Sequence, residues 1–163
     1  MSILLKNATI VDGKSNLNFK TKDILINDGD IVDIADTINT KASQTIKLEN
    51  LHVSRGWMDT SVCFGEPGFE ERETISNGLE TAASSGFTSI LLNPNCDPAI
   101  DNHSSIEFLK RKSAETTTEI YPIGSLTNNS KGEELASLFD MKLAGAVAFG
   151  DYKQTVKDTS LLK

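Results

Sequence analysis

Residues 56–70 have the sequence GWMDTSVCFGEPGFE, and this stretch separates two parts of the chain with different hydrophobic patterns. Before it, short apolar runs alternate with turn signals such as Asp12-Gly13 and Asp28-Gly29, which predicts strands and a hairpin but no helix. After it, apolar strands alternate with segments of helical spacing. We therefore predict a β-rich domain over residues 1–54 and a second, mixed domain over residues 55–163.

The second domain is predicted to contain four strands, each followed by a helical segment. The strands are predicted at residues 57–64, where the strand is expected to be buried, and at residues 87–92, 119–126 and 146–149. The helices are predicted at residues 74–85, after a cap at Asp101 or Asn102, after the capping box Ser130-x-x-Glu133, and from Leu161. Such alternation indicates parallel βα units, either in a doubly wound sheet or in part of a barrel.

Composition excludes several classes of function. The 163-residue chain has a formal charge of −7 and no clustered basic face, which argues against nucleic-acid binding. No glycine-rich phosphate loop follows any predicted strand, so a nucleotide-binding fold has little support. No apolar run approaches the roughly 20 residues of a membrane span, and two cysteines are too few for a disulfide scaffold. We expect a cytoplasmic protein that binds neither nucleic acid nor membranes.

The stretch over residues 56–70 resembles the dihydroorotase segment P-G-F-I-D-x-H-V-H-L-R-E-P-G-F-E. Further matching blocks are Gly86-Phe87-Thr88, Asn93-Pro94-Asn95, Gly124-Ser125-Leu126-Thr127 and the run over residues 144–149. The resemblance covers nearly the whole chain and rests on several blocks in order. It implies an α/β fold with a small β-sandwich-like layer, followed by four βα units that form about half of a TIM-type (β/α) barrel. A complete barrel takes about 250 residues.

The resemblance also implies a chemistry. Dihydroorotases are cyclic amidohydrolases that interconvert dihydroorotate and N-carbamoyl-aspartate in pyrimidine biosynthesis, with zinc at the C-terminal ends of barrel strands. Two imidazoles at positions i and i+2 of a strand point to the same side, so both reach one ion. The ion lowers the pKa of its bound water and polarises the amide carbonyl.

This sequence departs from the family pattern at the metal positions. Ser61 and Cys63 stand in place of the two histidines, and a single thiolate does not replace a histidine pair. Asp151 matches one of two adjacent acids, of which one ligates metal in the family, and Tyr152 replaces the other. Which of these two positions is the ligand stays open, so Asp151 is a candidate both as a metal ligand and as a catalytic acid.

The substrate positions are also altered. Gly65 stands where the family has an arginine that binds the substrate carboxylate, and glycine offers no charge and no paired donors. Asn95 is retained at a position that the family uses for substrate. The two histidines of the chain, His52 and His103, cannot build a histidine-rich metal centre.

Three hypotheses follow. The first is a pseudoenzyme of the dihydroorotase family, with zinc absent or weakly bound, that associates with aspartate carbamoyltransferase or with itself. The second is an active zinc-dependent hydrolase with an altered site that uses Cys63 and Asp151. The third is that the chain is part of a longer protein, because an open half barrel would expose strand edges.

Overall fold

The computed structural model describes residues 1–162, and the chain divides into two compact units, Met1–Arg55 and a second that begins at Gly56. The first unit is one five-stranded sheet. Its strands are β1 (Ser2–Val11), β2 (Thr21–Asn27), β3 (Asp30–Ala35), β4 (Gln44–Ile46) and β5 (His52–Ser54). β2 pairs antiparallel with β1 and β3, whereas β4 and β5 both run parallel to β1.

Local turn chemistry explains the first unit. The hairpin between β2 and β3 turns at Asp28 and Gly29, both with positive φ, as the Asp-Gly pair predicts. β1 is one continuous strand from Ser2 to Val11, although its pairing with β2 shifts register between Leu5 and Ala8. Strand β5, at His52–Ser54, was not predicted from the sequence.

The second unit contains a four-stranded parallel sheet in the order β6-β7-β8-β9. Its elements are β6 (Trp57–Val62), α1 (Ile75–Ser84), β7 (Phe87–Leu92), α2 (His103–Ser113), β8 (Glu119–Gly124), α3 (Leu138–Ala144) and β9 (Ala148–Phe149). Short 3₁₀ turns lie at Asn128–Ser130 and Thr159–Leu162. The predicted alternation of parallel strands and helical segments is therefore confirmed.

Capping and spacing explain the first two helices. Thr74 caps α1 by accepting a hydrogen bond from the backbone N–H of Asn77, and Asn102 caps α2 through Ser105 in the same way. The helices pack on the sheet through fully buried apolar residues, namely Ile75 and Leu79 of α1, Ile106 and Leu109 of α2, Ile90 and Leu92 of β7, and Ile120 of β8. These residues lie at the predicted helical and strand spacings.

The burial predicted for the strand at residues 57–64 is wrong for β6, whereas Phe64, which follows β6, is buried. In β6 only Val62 is even partly buried, and Trp57 and Met58 are 59% and 49% exposed. The physical reason is position, because β6 lies at one edge of its sheet and pairs with β7 alone.

Among residues 1–162, no helix has the length and apolar character that a membrane crossing requires.

The capping box predicted at Ser130 and Glu133 is also wrong. Ser130 lies in a 3₁₀ turn, where its hydroxyl contacts that of Ser125 at 2.9 Å, and the next helix begins only at Leu138. Gly145 ends that helix with a φ of 110°. The fourth predicted helix is the 3₁₀ turn Thr159–Leu162, and its last predicted residue, Lys163, lies outside the described residues.

Candidate functional site

The candidate site residues of the second unit lie where its strands end. Ser61 and Cys63 lie at the end of β6, Asn95 follows β7, and Asp151 follows β9. In parallel βα architectures ligand sites form at the C-terminal ends of the strands, because the loops that follow the strands converge there. The structure thus places the positions predicted from the sequence at the C-terminal ends of strands in one sheet.

Asn93 organises the end of β6. This buried residue was not singled out from the sequence, yet its side-chain Nδ2 donates to the Ser61 hydroxyl at 3.2 Å and to the Val62 carbonyl at 3.1 Å. It also lies 3.6 Å from the Cys63 sulfur. An amide nitrogen is only a donor, so it cannot take a proton from the exposed Cys63 thiol. Cys63 therefore has no general base in this contact.

Gly65 occupies a close approach of two backbone segments. It is buried, and a Cβ placed there would lie 1.8 Å from the Phe69 carbonyl oxygen. Two backbone hydrogen bonds of 2.9 Å hold this loop, one from the Gly65 N–H to the Glu73 carbonyl and one from the Phe69 N–H to the Gly65 carbonyl. No side chain fits here without movement of the backbone, so the absence of an arginine is built into the loop.

Glu66 anchors α1 rather than serving as a free acid. Its Oε2 accepts from the backbone N–H of Ile75 at 2.9 Å, and its Oε1 pairs with Lys112 at 2.9 Å. Burial by itself would raise the pKa of Glu66, but the Lys112 and Ile75 hydrogen bonds outweigh it and hold the pKa below the ordinary value. Glu66 is thus a charged structural group at neutral pH.

Two neighbours at the end of β7 differ in chemistry. The Oδ1 atom of Asn95 is buried and accepts no hydrogen bond from any described residue. The Cys96 thiol lies 3.4 Å from the Glu66 carbonyl oxygen. Burial, followed by the charges of Cys63, Glu70 and Glu66, raises the pKa of Cys96 to about 11. Cys96 is therefore a protonated thiol near neutral pH and a poor nucleophile.

Asp151 is committed to hydrogen bonds within the fold. It is buried, and its Oδ1 accepts from the backbone N–H groups of Leu126 and Thr127 at 2.9 and 3.0 Å. Its Oδ2 accepts from the Thr127 hydroxyl. Both oxygens are therefore engaged in joining the loop after β9 to the loop after β8.

A cavity of about 660 Å³ lies among the loops that follow β7, β8 and β9. Its lining includes polar residues from all three loops, among them Asn95, Asn129, Lys131, Tyr152 and Lys157. The lysines were not predicted from the sequence, because the loops that carry them are far apart along the chain.

The residues present do not fit a zinc centre. Ser61 offers a neutral hydroxyl, Cys63 offers one thiol, and the carboxylate of Asp151 is already engaged. His52 lies in β5 of the first unit, and His103 begins α2, where it faces Glu107. Within residues 1–162 no three His, Cys, Asp or Glu side chains are grouped closely enough to hold a metal ion.

Comparison with known proteins decides the family. A family model described as dihydro-orotase-like matches residues 51–163. The chain belongs to the dihydroorotase-like family. Among curated relatives of this family, the dihydroorotase of Pelotomaculum thermopropionicum is 40% identical over 163 residues, and that of Acetivibrio thermocellus is 38% identical over 162 residues. These matches cover 100% and 99% of this chain but 38% of each relative.

The dihydroorotase-like chain thus spans somewhat over a third of the length of the relatives that it matches. Solved structures agree on the fold. The L-hydantoinase of Arthrobacter aurescens matches 90% of this chain with a TM-score of 0.73 and 23% identity, over 32% of its own length. A dihydroorotase matches 91% of this chain with a TM-score of 0.61 and 16% identity, over 41% of its own length. The predicted family and fold class are both confirmed.

Proposed function

We propose that this dihydroorotase-like chain belongs to pyrimidine biosynthesis but does not itself catalyse the opening of dihydroorotate to N-carbamoyl-aspartate. The observation that carries this proposal is the state of the candidate metal positions. Ser61 and Cys63 replace the expected histidine pair, and both carboxylate oxygens of Asp151 accept hydrogen bonds from the loop after β8. A zinc ion would supply the water that attacks the cyclic amide, but the described residues offer too few ligands to hold one.

Asp151 and Tyr152 occupy the two positions at which the family has adjacent acids. A carboxylate that accepts three hydrogen bonds within the fold is suited to anchoring a loop, so we assign Asp151 to that structural role. Tyr152 then stands at the position where the family has its metal-binding acid. On this assignment Asp151 is neither the catalytic acid nor a zinc ligand.

The alternative of an active hydrolase built on Cys63 and Asp151 is not favoured. The only side-chain hydrogen-bond contact of the Cys63 sulfur among the described residues is with the Asn93 amide, which cannot accept a proton. A cysteine nucleophile needs a base or a lowered pKa. The contact with Asn93 supplies no base.

Grafting the altered motif into a relative tests the proposal. Serine, cysteine and glycine, as found at Ser61, Cys63 and Gly65 of this chain, are introduced at the aligned positions of the Pelotomaculum thermopropionicum dihydroorotase. Turnover of dihydroorotate by the resulting variants is then assayed. The proposal expects activity to fall to background when the first two residues are exchanged together. A graft that includes only Gly65 serves as the control for substrate binding alone. Retained turnover in the double graft would refute the proposal.

We further propose that the chain functions in the cytoplasm by association, with aspartate carbamoyltransferase as the first candidate partner and a second copy as the next. Support comes from apolar side chains at the surface, since Phe139 and Leu143 lie one turn apart on α3 and are 75% and 68% exposed. Sedimentation of the chain alone and with aspartate carbamoyltransferase tests this, with Phe139→Ser as the interface variant. A monomer under both conditions would contradict it.

A further inference from the structure

We propose that the loop between β1 and β2, residues 12–20, docks on a second copy of this chain. In this contact the Phe19 ring of one copy enters an apolar groove beside α2 of the other copy, and Lys14 and Lys20 face carboxylates at the rim of that groove. The inference goes beyond the proposed function, because the association proposed above uses α3 and this one uses a loop of the first unit.

The backbone conformation of Phe19 is the first argument. The Phe19 N–H donates to the Ile10 carbonyl at 2.7 Å, and the Ile10 N–H donates to the Lys20 carbonyl at 3.0 Å. Two residues thus lie opposite one, which is a β-bulge, and its first residue has a φ of 59°. Glycine usually fills that position, because a residue with a Cβ is strained there. The fold alone therefore favours glycine or asparagine over phenylalanine at position 19.

The Phe19 ring lies in solvent despite this strain. It is 74% exposed, so packing within the chain does not compensate for the unfavourable backbone. Local hydrogen bonds hold the loop in place, since the Asp12 N–H donates to Asn18 Oδ1 at 2.9 Å. The Leu17 N–H likewise donates to the Ser15 hydroxyl at 3.1 Å. A bulky apolar ring on a well-bonded loop is suited to anchor a partner protein.

The charges of the loop indicate an acidic partner. Lys14 and Lys20 are exposed and form no ion pair with any residue from 1 to 162, whereas Asp12 of the same loop pairs with Arg55 at 2.9 Å. The second part of the chain is strongly acidic, because residues 56–163 contain 16 of the 23 acidic but 9 of the 16 basic residues. A second copy therefore offers a surface of opposite charge.

The second unit contains an apolar groove that suits an aromatic ring. The groove has a volume of about 300 Å³ and lies beside the first turns of α2. It shares no lining residue with the cavity among the loops that follow β7, β8 and β9. An aromatic side chain that fills such a groove is the typical anchor of a protein interface. Its apolar lining consists of Pro67, Pro98, Ile100 and Phe108.

Carboxylates at the rim of the groove complement the two lysines. Asp97 and Glu107 adjoin the lining residues in sequence, and both are exposed. Within residues 1–162 neither pairs with a lysine or an arginine, and Glu107 faces His103 at 3.4 Å. The nearby cation Lys112 is already paired with Glu66 at 2.9 Å. The groove thus combines an apolar lining with unpaired negative charges.

Sedimentation equilibrium of the whole chain over a range of concentrations tests the proposal. We expect reversible self-association that weakens at least about tenfold in Phe19→Asn, because a buried aromatic anchor dominates a contact of this kind. Asparagine tolerates positive φ, so the melting temperature of Phe19→Asn is expected not to fall. The double variant Lys14→Gln/Lys20→Gln is expected to weaken association about threefold, as for charges at the rim of an interface.

Mixing two variants identifies the two sides of the contact. Ser104→Arg places a long cationic side chain over the groove, and Ser76→Arg at the equivalent exposed position of α1 is the matched control. Phe19→Asn retains the groove, and Ser104→Arg retains the loop. We therefore expect each of these variants to associate weakly alone and their mixture to form a one-to-one complex.

Four results would overturn the proposal. They are a native chain that stays monomeric at every concentration, unchanged association in Phe19→Asn, a mixture that forms no complex, and a lower melting temperature for Phe19→Asn. The last would show that the ring stabilises the fold itself. Association that persists in Phe19→Asn and is lost in Phe139→Ser would place the contact at α3, so that this inference fails and the proposed function stands.

Discussion

The carboxylate of Asp151 accepts a hydrogen bond from the backbone N–H of Thr127 at 3.0 Å and another from the Thr127 hydroxyl group. The same hydroxyl oxygen accepts from the N–H of Gly132 at 2.8 Å. This chain of contacts joins the loop after β9 to the loop after β8, and both loops line the cavity. Asp151, which the sequence offered as a metal ligand, thus joins two loops that line the cavity.

Asp151→Asn is expected to lower the free energy of unfolding of the second unit by about 2–3 kcal/mol. An amide places a donor against the existing donors, and hydrogen bonds to a charged group contribute about 1.5–3 kcal/mol. Urea denaturation measures the change. Glu115→Gln, an exposed acid of the same unit, is the control and should stay within about 0.5 kcal/mol of the native chain. An equally small effect of Asp151→Asn would mean that the carboxylate does not anchor the loops.

Gly65→Arg is expected to destabilise the chain rather than restore substrate binding. Any Cβ at this position meets the Phe69 carbonyl oxygen at 1.8 Å, and overpacking of this kind costs about 1–3 kcal/mol. Thermal unfolding of Gly65→Ala isolates the backbone clash. Gly150→Ala is the matched control, since a Cβ there meets nothing within 4 Å. Similar melting temperatures for the two alanine variants would show that the loop accommodates a side chain.

The first unit is expected to lose stability in acid through Asp23. Burial alone would raise the pKa of this carboxyl group, but hydrogen bonds from Lys6 and from the N–H groups of Ile38 and Asn7 outweigh it and leave the pKa below its ordinary value. Because the folded pKa lies below the unfolded value of about 3.9, the stabilisation is present above that pH and is lost as pH falls through the folded pKa.

Acid titration of unfolding checks this expectation. The stability of an Asp23→Asn variant should depend less on pH in the acid range than that of the native chain. Asp33→Asn, an exposed acid of β3, should retain the native dependence. Identical acid profiles for the native chain and the Asp23 variant would contradict the assignment.

The two cysteines are expected to react at very different rates. Cys63 is exposed, whereas burial and neighbouring negative charges raise the pKa of Cys96 to about 11. Because the thiolate is the nucleophile, iodoacetamide at neutral pH should modify Cys63 at least about tenfold faster than Cys96. Mass spectrometry of Cys63→Ser and Cys96→Ser compares the two thiols separately. Equal rates would show that Cys96 is less buried than the structure indicates.

Elements governed by nearest neighbours could be predicted from the sequence. Asn102 caps α2, and Ile106 and Leu109 bury its inner face, because capping and helical spacing are local properties. The same local pattern failed at Ser130 and Glu133. There the Ser130 hydroxyl contacts Ser125, and the neighbouring backbone is bonded to Thr127, which Asp151 holds from a distant part of the chain. Long-range contacts overrode a short motif.

The candidate site likewise contains residues that the sequence identified and residues that only the structure revealed. Ser61, Cys63 and Gly65 were identifiable because each departs from a contiguous family motif. The bridging role of Asn93 and the shared cavity of Lys131 and Lys157 depend on how separate loops meet. The spacing of these residues along the chain does not predict which loops come into contact. The exposure of β6 likewise depends on its place at the edge of the sheet.

Zinc stoichiometry tests the central claim most directly. The chain and its Cys63→Ser variant are dialysed against the same zinc solution and then against metal-free buffer, and retained metal is measured by elemental analysis. We predict that the native chain retains no more zinc than the variant, because Ser61, Cys63 and Asp151 do not form a closed ligand set. One zinc ion per native chain, lost in the variant, would contradict the account.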